Sequence, residues 1–251
     1  TAVSFAQSYS SQNPDYINNV TAGERCLSEM KYDSCIYYYK TAFKIKQSSF
    51  LSTLRAAACA FSASDNSYLE KQLAMSMDLS WDGTRNIFDS YPEFEYLHGT
   101  EFEDKLIAFW EAAAKESGVN IELMEELAQI RESDQAQRRL MGDVEEKYGW
   151  NSPQMDSLWS IQLYADSVNT ERIMEIIDTY GYPGKSLVGN AQASTAFLVI
   201  QHADLEIQEK YMPIITAAAD AEEVAWRSVA LLVDRVNMRK GLPQVYGSQV
   251  S

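Results

Sequence analysis

Asp134 and Arg138 stand in the middle of an apolar helical stripe, after Leu123, Leu127 and Ile130 and before Met141, Val144 and Tyr148. A second stripe, Met155, Leu158 and Trp159, meets Gln162, Asp166 and Asn169 before it resumes at Ile173, Ile176 and Ile177. His202 follows Thr195, Leu198 and Val199 on a third, and Arg235 lies among Leu231, Leu232 and Met238 on a fourth. Burying an unpaired polar group costs roughly 2–7 kcal/mol, so notches on separate helices should converge and satisfy one another or a ligand. One internal polar cluster of Asp134, Arg138, Asp166, Asn169, His202 and Arg235 is therefore expected, with Gln244 or Tyr246 reaching it from the C-terminal tail. Two arrangements meet the requirement. One is a closed network, with Asp134 paired to Arg138 at i,i+4 and Asp166 paired to Arg235. The other is a pocket that these groups line.

The chemistry open to such a cluster is limited by its residue types. His202 is a candidate general acid or base, oriented by Asp134 or Asp166, with Arg138 and Arg235 stabilising developing negative charge. Hydrolysis or group transfer would follow, with water or a substrate hydroxyl as nucleophile. Without catalysis, the same arginines among Gln, Asn and Tyr suit a small polar ligand with a carboxylate or phosphate, or a peptide terminus. A metal would have His202, Asp134, Asp166 and at most Asp204 to bind it, with two guanidinium groups opposing a cation, so neither metal nor cofactor is expected. No nucleophile motif and no phosphate-cradling glycine loop is present. Gln201 and Asp204 flank His202; Asp204 also precedes a periodic helix and reads as its cap. Asp234 shares a face with Arg227 and Asn237, which suits a surface pair as well as a site role. The tail residues Gln244, Tyr246 and Gln249 form a polar strap that would either cover a pocket or fasten the tail.

These groups need helices to position them. Residues 119–148, 153–179, 188–203, 205–219 and 222–240 carry helical periodicity without strand alternation, and the fold class is all-α. Ser152-Pro153 marks a helix start, and Gly241 with Pro243 a helix end. Nearer the N-terminus, a 34-residue offset maps Gly23 onto Ala57, Cys26 onto Ala60, Leu27 onto Phe61, Cys35 onto Leu69, Tyr39 onto Leu73, Ala42 onto Ser76 and Ile45 onto Leu79. Each unit reads as two helices with a break, at residues 31–33 and 64–66. Gly83, Pro92 and Gly99 then break the period, and Glu101 to Lys115 reads as a capping helix. The expected organisation is a linker over 1–14, repeats with a cap over 15–117, and a helical domain over 118–251. Ile17, Val20, Leu27, Leu51, Leu54 and Phe61 would line a groove for a protein or peptide partner, or for the domain itself.

Over residues 15–80 this pattern resembles the tetratricopeptide repeat, whose small positions are matched by Gly23 and Ala57 and by Ala42 and Ser76. It departs from that family in lacking the usual Trp, Tyr and final Pro, and in placing Cys35 and Leu69 where Ala is normal. Residues 119–251 resemble a bacterial domain family of unknown function, marked by a QHAD helix end, an acidic-Arg pair on the following long helix and a terminal QxYGTQ. Here those are Gln201-His202-Ala203-Asp204, Asp234-Arg235 and Gln244-Val245-Tyr246-Gly247-Ser248-Gln249, with Ser248 replacing Thr. The resemblance further matches Asp134-Gln135 with Arg138, and Asp166 with Asn169, to the family's pattern. It implies no particular activity.

Composition removes other classes. The 251 residues hold 36 acidic against 21 basic side chains, and a net charge of -15 would repel a phosphate backbone, so nucleic acid is not an expected partner. The longest charge-free stretch, Ser186 to Ala203, contains Asn190, Gln192, Gln201 and His202, and no transmembrane helix is expected. Cys26, Cys35 and Cys59 read as buried free thiols. The uncharged first residues look like a linker left by a removed leader, which points to the periplasm or the cell exterior.

Overall fold

The computed structural model describes residues 13–249. Among these the secondary structure is entirely helical, so the chain is all-α. It divides into two compact units between Ser117 and Gly118. The expected linker lies outside the described residues except for Asn13, which caps the first helix through its bond from Asp15 N at 2.8 Å, and Pro14, which opens it.

In the first unit, α1 (Pro14–Ser28) packs on α2 (Tyr32–Ile45), α2 on α3 (Phe50–Ser62), and α3 on α4 (Asn66–Ser90). A short 3-10 turn over Pro92–Leu97 leads to α5 (Glu101–Ser117), which packs on α4. Gly23 is required where α1 meets α2, because a Cβ there would stand 2.9 Å from the Tyr39 ring. The period is interrupted at Ser80 (φ -173°, ψ 89°) rather than at Gly83. Thr84 Oγ1 bonds the Ser76 carbonyl at 3.0 Å, and Ser80 Oγ accepts from Gly83 N at 3.2 Å, so side chains take over the helix's own bonds there. The thiol reading is corrected: Cys35 and Cys59 form a disulfide between α2 and α3, leaving Cys26 as the free, buried cysteine. Of the expected groove, Val20, Leu27 and Leu54 are buried and Ile17, Leu51 and Phe61 half-exposed.

The second unit holds α6 (Ile121–Ala136), α7 (Arg138–Tyr148), α8 (Pro153–Tyr180), α9 (Lys185–Gln192), α10 (Thr195–His202), α11 (Leu205–Asp220) and α12 (Trp226–Arg239). Helix α10 is short, with an apolar run from Ala196 to Ile200, and it packs against α6, α8, α11 and α12. Its Phe197, Val199 and Ile200 join Leu127 and Ile130 of α6, Ile173 and Ile176 of α8, Ile215 of α11, and Leu232 of α12 among the buried side chains. The last residue of α10, His202, therefore lies where four helices meet.

Three expected helices differ. The one over 119–148 is broken at Gln137, because the Asp134 carbonyl that would accept from Arg138 N instead accepts from Arg138 Nε at 3.1 Å and from Gln162 Nε2 of α8 at 3.0 Å. The resulting α7 buries no residue, and the expected core stripe at Met141, Val144 and Tyr148 is not there. The one over 188–203 becomes α9 and α10, with Gly189 at φ 74° inside α9, a conformation that favours glycine. The last helix begins at Trp226 rather than at residue 222, after Glu222 turns through φ 61°.

Candidate functional site

Helix α6 ends in a carboxylate with no access to solvent. Asp134 is 0% exposed, and its Oδ1 lies 2.9 Å from His202 Nδ1, while its Oδ2 accepts from Gln135 Nε2 at 2.6 Å. Burial works to raise the Asp134 carboxyl, but the His202 bond and charge, the Gln135 bond and the Arg138 charge outweigh it and hold it below its ordinary value. With Nδ1–H donated to Asp134, the neutral ring keeps Nε2 as its acceptor. A buried carboxylate holding an imidazole in one orientation is the arrangement that general acid–base chemistry uses.

The second carboxylate is bound to an arginine from the neighbouring helix. Arg138 Nη2 donates to both Asp166 oxygens at 2.6 and 2.7 Å, and stands 3.7 Å from Asp134 Oδ2 through Nε. Gln162 Nε2 also donates to Asp166 Oδ1 at 2.7 Å, so one amide ties the Asp166 carboxylate to the Asp134 backbone carbonyl. Of the expected closed network the Asp134–Arg138 pair forms, but Arg138 also crosses to Asp166, and Arg235 takes no carboxylate among the described residues. Arg235 Nε instead donates to Gln249 Oε1 at 3.1 Å, and burial, then Arg239 and Arg138, lower its pKa. Asn169 is buried one turn along from Asp166 and donates to Ser133 Oγ at 3.4 Å, beside the cluster.

Asp134, Asp166 and His202 offer three donor atoms within 4.8 Å of one another, a spacing that suits a metal ion. Arg138 occupies both Asp166 oxygens and opposes a cation at that point.

On the far side of His202 lies a cavity of about 390 Å³ between α8 and the α10–α11 junction. Leu163, Asp166, Ser167, Thr170, Glu171 and Met174 come from α8, and His202, Ala203, Asp204 and Ile207 from the junction. Asp204 occupies the cap position of α11, but its side chain makes no capping bond and lines the cavity instead. Gln201 is buried outside the lining, where its backbone carbonyl accepts from Gln208 Nε2 at 2.7 Å. The sequence reading missed Ser167, Thr170 and Glu171, although Leu163, Ser167, Thr170 and Met174 share one helical face next to Asp166.

Of the two roles open to the tail, the hydrogen bonds describe fastening. Asp234 is not a surface residue: it is fully buried, and its carboxylate accepts from Val245 N at 2.6 Å, Tyr246 N at 2.9 Å and Ser248 N at 2.8 Å. Burial opposes ionisation of Asp234, and these backbone donors outweigh it and lower its pKa. Gln244 and Gln249 close the strap on each other, with Gln249 N donating to Gln244 Oε1 at 2.9 Å and Gln244 Nε2 to the Gln249 carbonyl at 2.9 Å. The Tyr246 side chain is 58% exposed and does not reach the cluster; Gln249 is the tail residue that meets Arg235.

Fold and site together define an all-α protein whose second unit carries a polar cluster beside an acidic cavity. Residues 121–251 match a family described as a family of unknown function, DUF6624, and the chain belongs to it. Neither a curated protein nor a solved structure matches the chain.

Proposed function

We propose that the second unit binds a small polar ligand in the cavity beside His202, and that the Asp134–His202 pair acts on it as a general acid or base. The carrying observation is the 2.9 Å bond from a fully buried carboxylate to an imidazole that lines a cavity of about 390 Å³. That volume falls in the range of about 300–1,000 Å³ usual for ligand sites. Asp134 orients His202 through the Nδ1 bond; Asp166 is a second carboxylate on the wall, restrained by Arg138. Hydrolysis or group transfer with water or a substrate hydroxyl as nucleophile suits this set. Binding an anion is less well supported for this cavity, since its lining has three carboxylates and no Lys or Arg.

The test is a thermal-shift screen of small metabolites on the full chain, followed by assay of each hit for conversion. His202→Gln is expected to abolish turnover while retaining ligand-induced stabilisation. A tight ligand that is recovered unchanged under all conditions would leave binding alone and overturn the acid–base role.

For the first unit the reading is a pair of tetratricopeptide-like hairpins that meet a protein or peptide partner. The 34-residue offset between the starts of α2 at Tyr32 and α4 at Asn66, and the close contact of Gly23 with Tyr39, support it. Ile17, Leu51 and Phe61 are the half-exposed apolar residues left for such a partner. The Cys35–Cys59 disulfide supports an oxidising compartment, the periplasm or the cell exterior.

A further inference from the structure

We infer that the cavity beside His202 receives a protonated amine, held by Glu171 and Asp204; this rests on the ligand-binding reading of that cavity. Several acidic side chains of the second unit are neutralised within it. Glu126 and Glu175 bind Arg172, Glu209 binds Lys240, Asp166 binds Arg138, and Asp134 binds His202. Glu171 and Asp204 line the cavity from two elements, α8 and the start of α11, and neither side chain makes an ion pair or hydrogen bond among the described residues. Arg172, the cation next to Glu171 in sequence, is turned to Glu126 and Glu175 and does not line the cavity. Two unneutralised carboxylates facing one concave space create a potential that favours a cation and penalises an anion.

The rest of the lining suits the body of such a ligand. Leu163, Met174 and Ile207 provide an apolar wall for methylene groups, and the Ser167 and Thr170 hydroxyls, which make no hydrogen bond among the described residues, provide polar contacts. The volume admits an amino-acid-sized amine or the first residues of a peptide. The net charge of -15 adds long-range attraction for a cation, so association should weaken with added salt. A free small amine and a peptide N-terminus share this chemistry, and the probes must separate them.

The experiment is calorimetric titration of the full chain, in buffer with a chelator so that no metal occupies the carboxylates. The probes are butylamine and trialanine with a free N-terminus, against N-acetyl-trialanine, succinate and inorganic phosphate. The expected result is saturable binding of at least one amine, weakened about tenfold or more by acetylation of trialanine or by Glu171→Gln with Asp204→Asn. Both substitutions are at exposed positions, so the melting temperature of the free double variant should not move. Binding of butylamine would assign a small amine, and binding of trialanine alone a peptide terminus. If succinate or phosphate binds and the double variant tightens it, the amine is wrong while the cavity remains a ligand site. An amine affinity unchanged in the double variant also overturns the amine inference. If no probe binds up to about 10 mM and the metabolite screen yields no ligand, both readings fall.

Discussion

At the scale of single residues, the pair that matters most is Asp134 with His202, and its stability cost has a definite sign. The Asp134 carboxyl titrates below its ordinary value of 3.8 in the folded chain. A carboxylate depressed by folding stabilises the native state above its unfolded value and loses that contribution as pH falls through the folded one. The wild type should therefore lose stability on acidification from about pH 5 to about pH 3 more steeply than Asp134→Asn does, as read from denaturant midpoints. Equal slopes would mean that this carboxylate is not held ionised by its partners. Removing the side chain altogether is a separate matter. Asp134→Ala leaves His202 and Gln135 without their acceptor and should cost about 3 kcal/mol in chemical denaturation, the scale of a broken buried pair.

At the scale of elements, α12 and the tail illustrate how one carboxylate organises a segment that has no helix or strand of its own. Three backbone N–H groups of residues 245–248 point at Asp234, which replaces the hydrogen bonds a regular element would provide. Asp234→Ala should release the strap, together with the Gln249 contact to Arg235, while the helices remain. Limited proteolysis is the measurement: cleavage after Leu242 should become rapid, with little change in far-UV circular dichroism. A tail that stays protected would show that Gln244 and Gln249 suffice to hold it. The α6–α7 junction shows the same principle in a helix. There Arg138 and Gln162 take the Asp134 carbonyl, so the backbone ladder is interrupted where Arg138 crosses to Asp166.

For the whole molecule, the disulfide makes a prediction about thiol count and stability. The unfolded, unreduced chain should react with one equivalent of thiol reagent, from Cys26, and with three after reduction. Cys35 and Cys59 are 24 residues apart, and closing a loop of that size stabilises by about 3.5 kcal/mol in the chain-entropy account. Reduction, or Cys35→Ala with Cys59→Ala, should lower the melting temperature accordingly. Three reactive thiols in the unreduced chain would contradict the pairing.

The helical class, the helix starts at Glu101, Pro153 and Leu205 and four members of the polar cluster were legible in the residues, because period and capping are local properties of a chain. Asp134, Arg138, Asp166 and His202 could be picked out since each interrupts an apolar face, and a buried polar group must find a partner somewhere. Which partner it finds is not local. Arg138 keeps the expected pair with Asp134 but bonds more closely to Asp166, a choice that depends on how α7 packs against α8. Asp234 and Arg235 are adjacent in sequence but about 100° apart around a helix, and only the packing of α12 decided that Asp234 is buried beneath the tail. The break at Gln137 needs a side chain from α8, the disulfide needs α2 against α3, and the cavity needs α8 together with the α10–α11 junction. Each joins residues far apart in the chain, so tertiary structure alone could specify them.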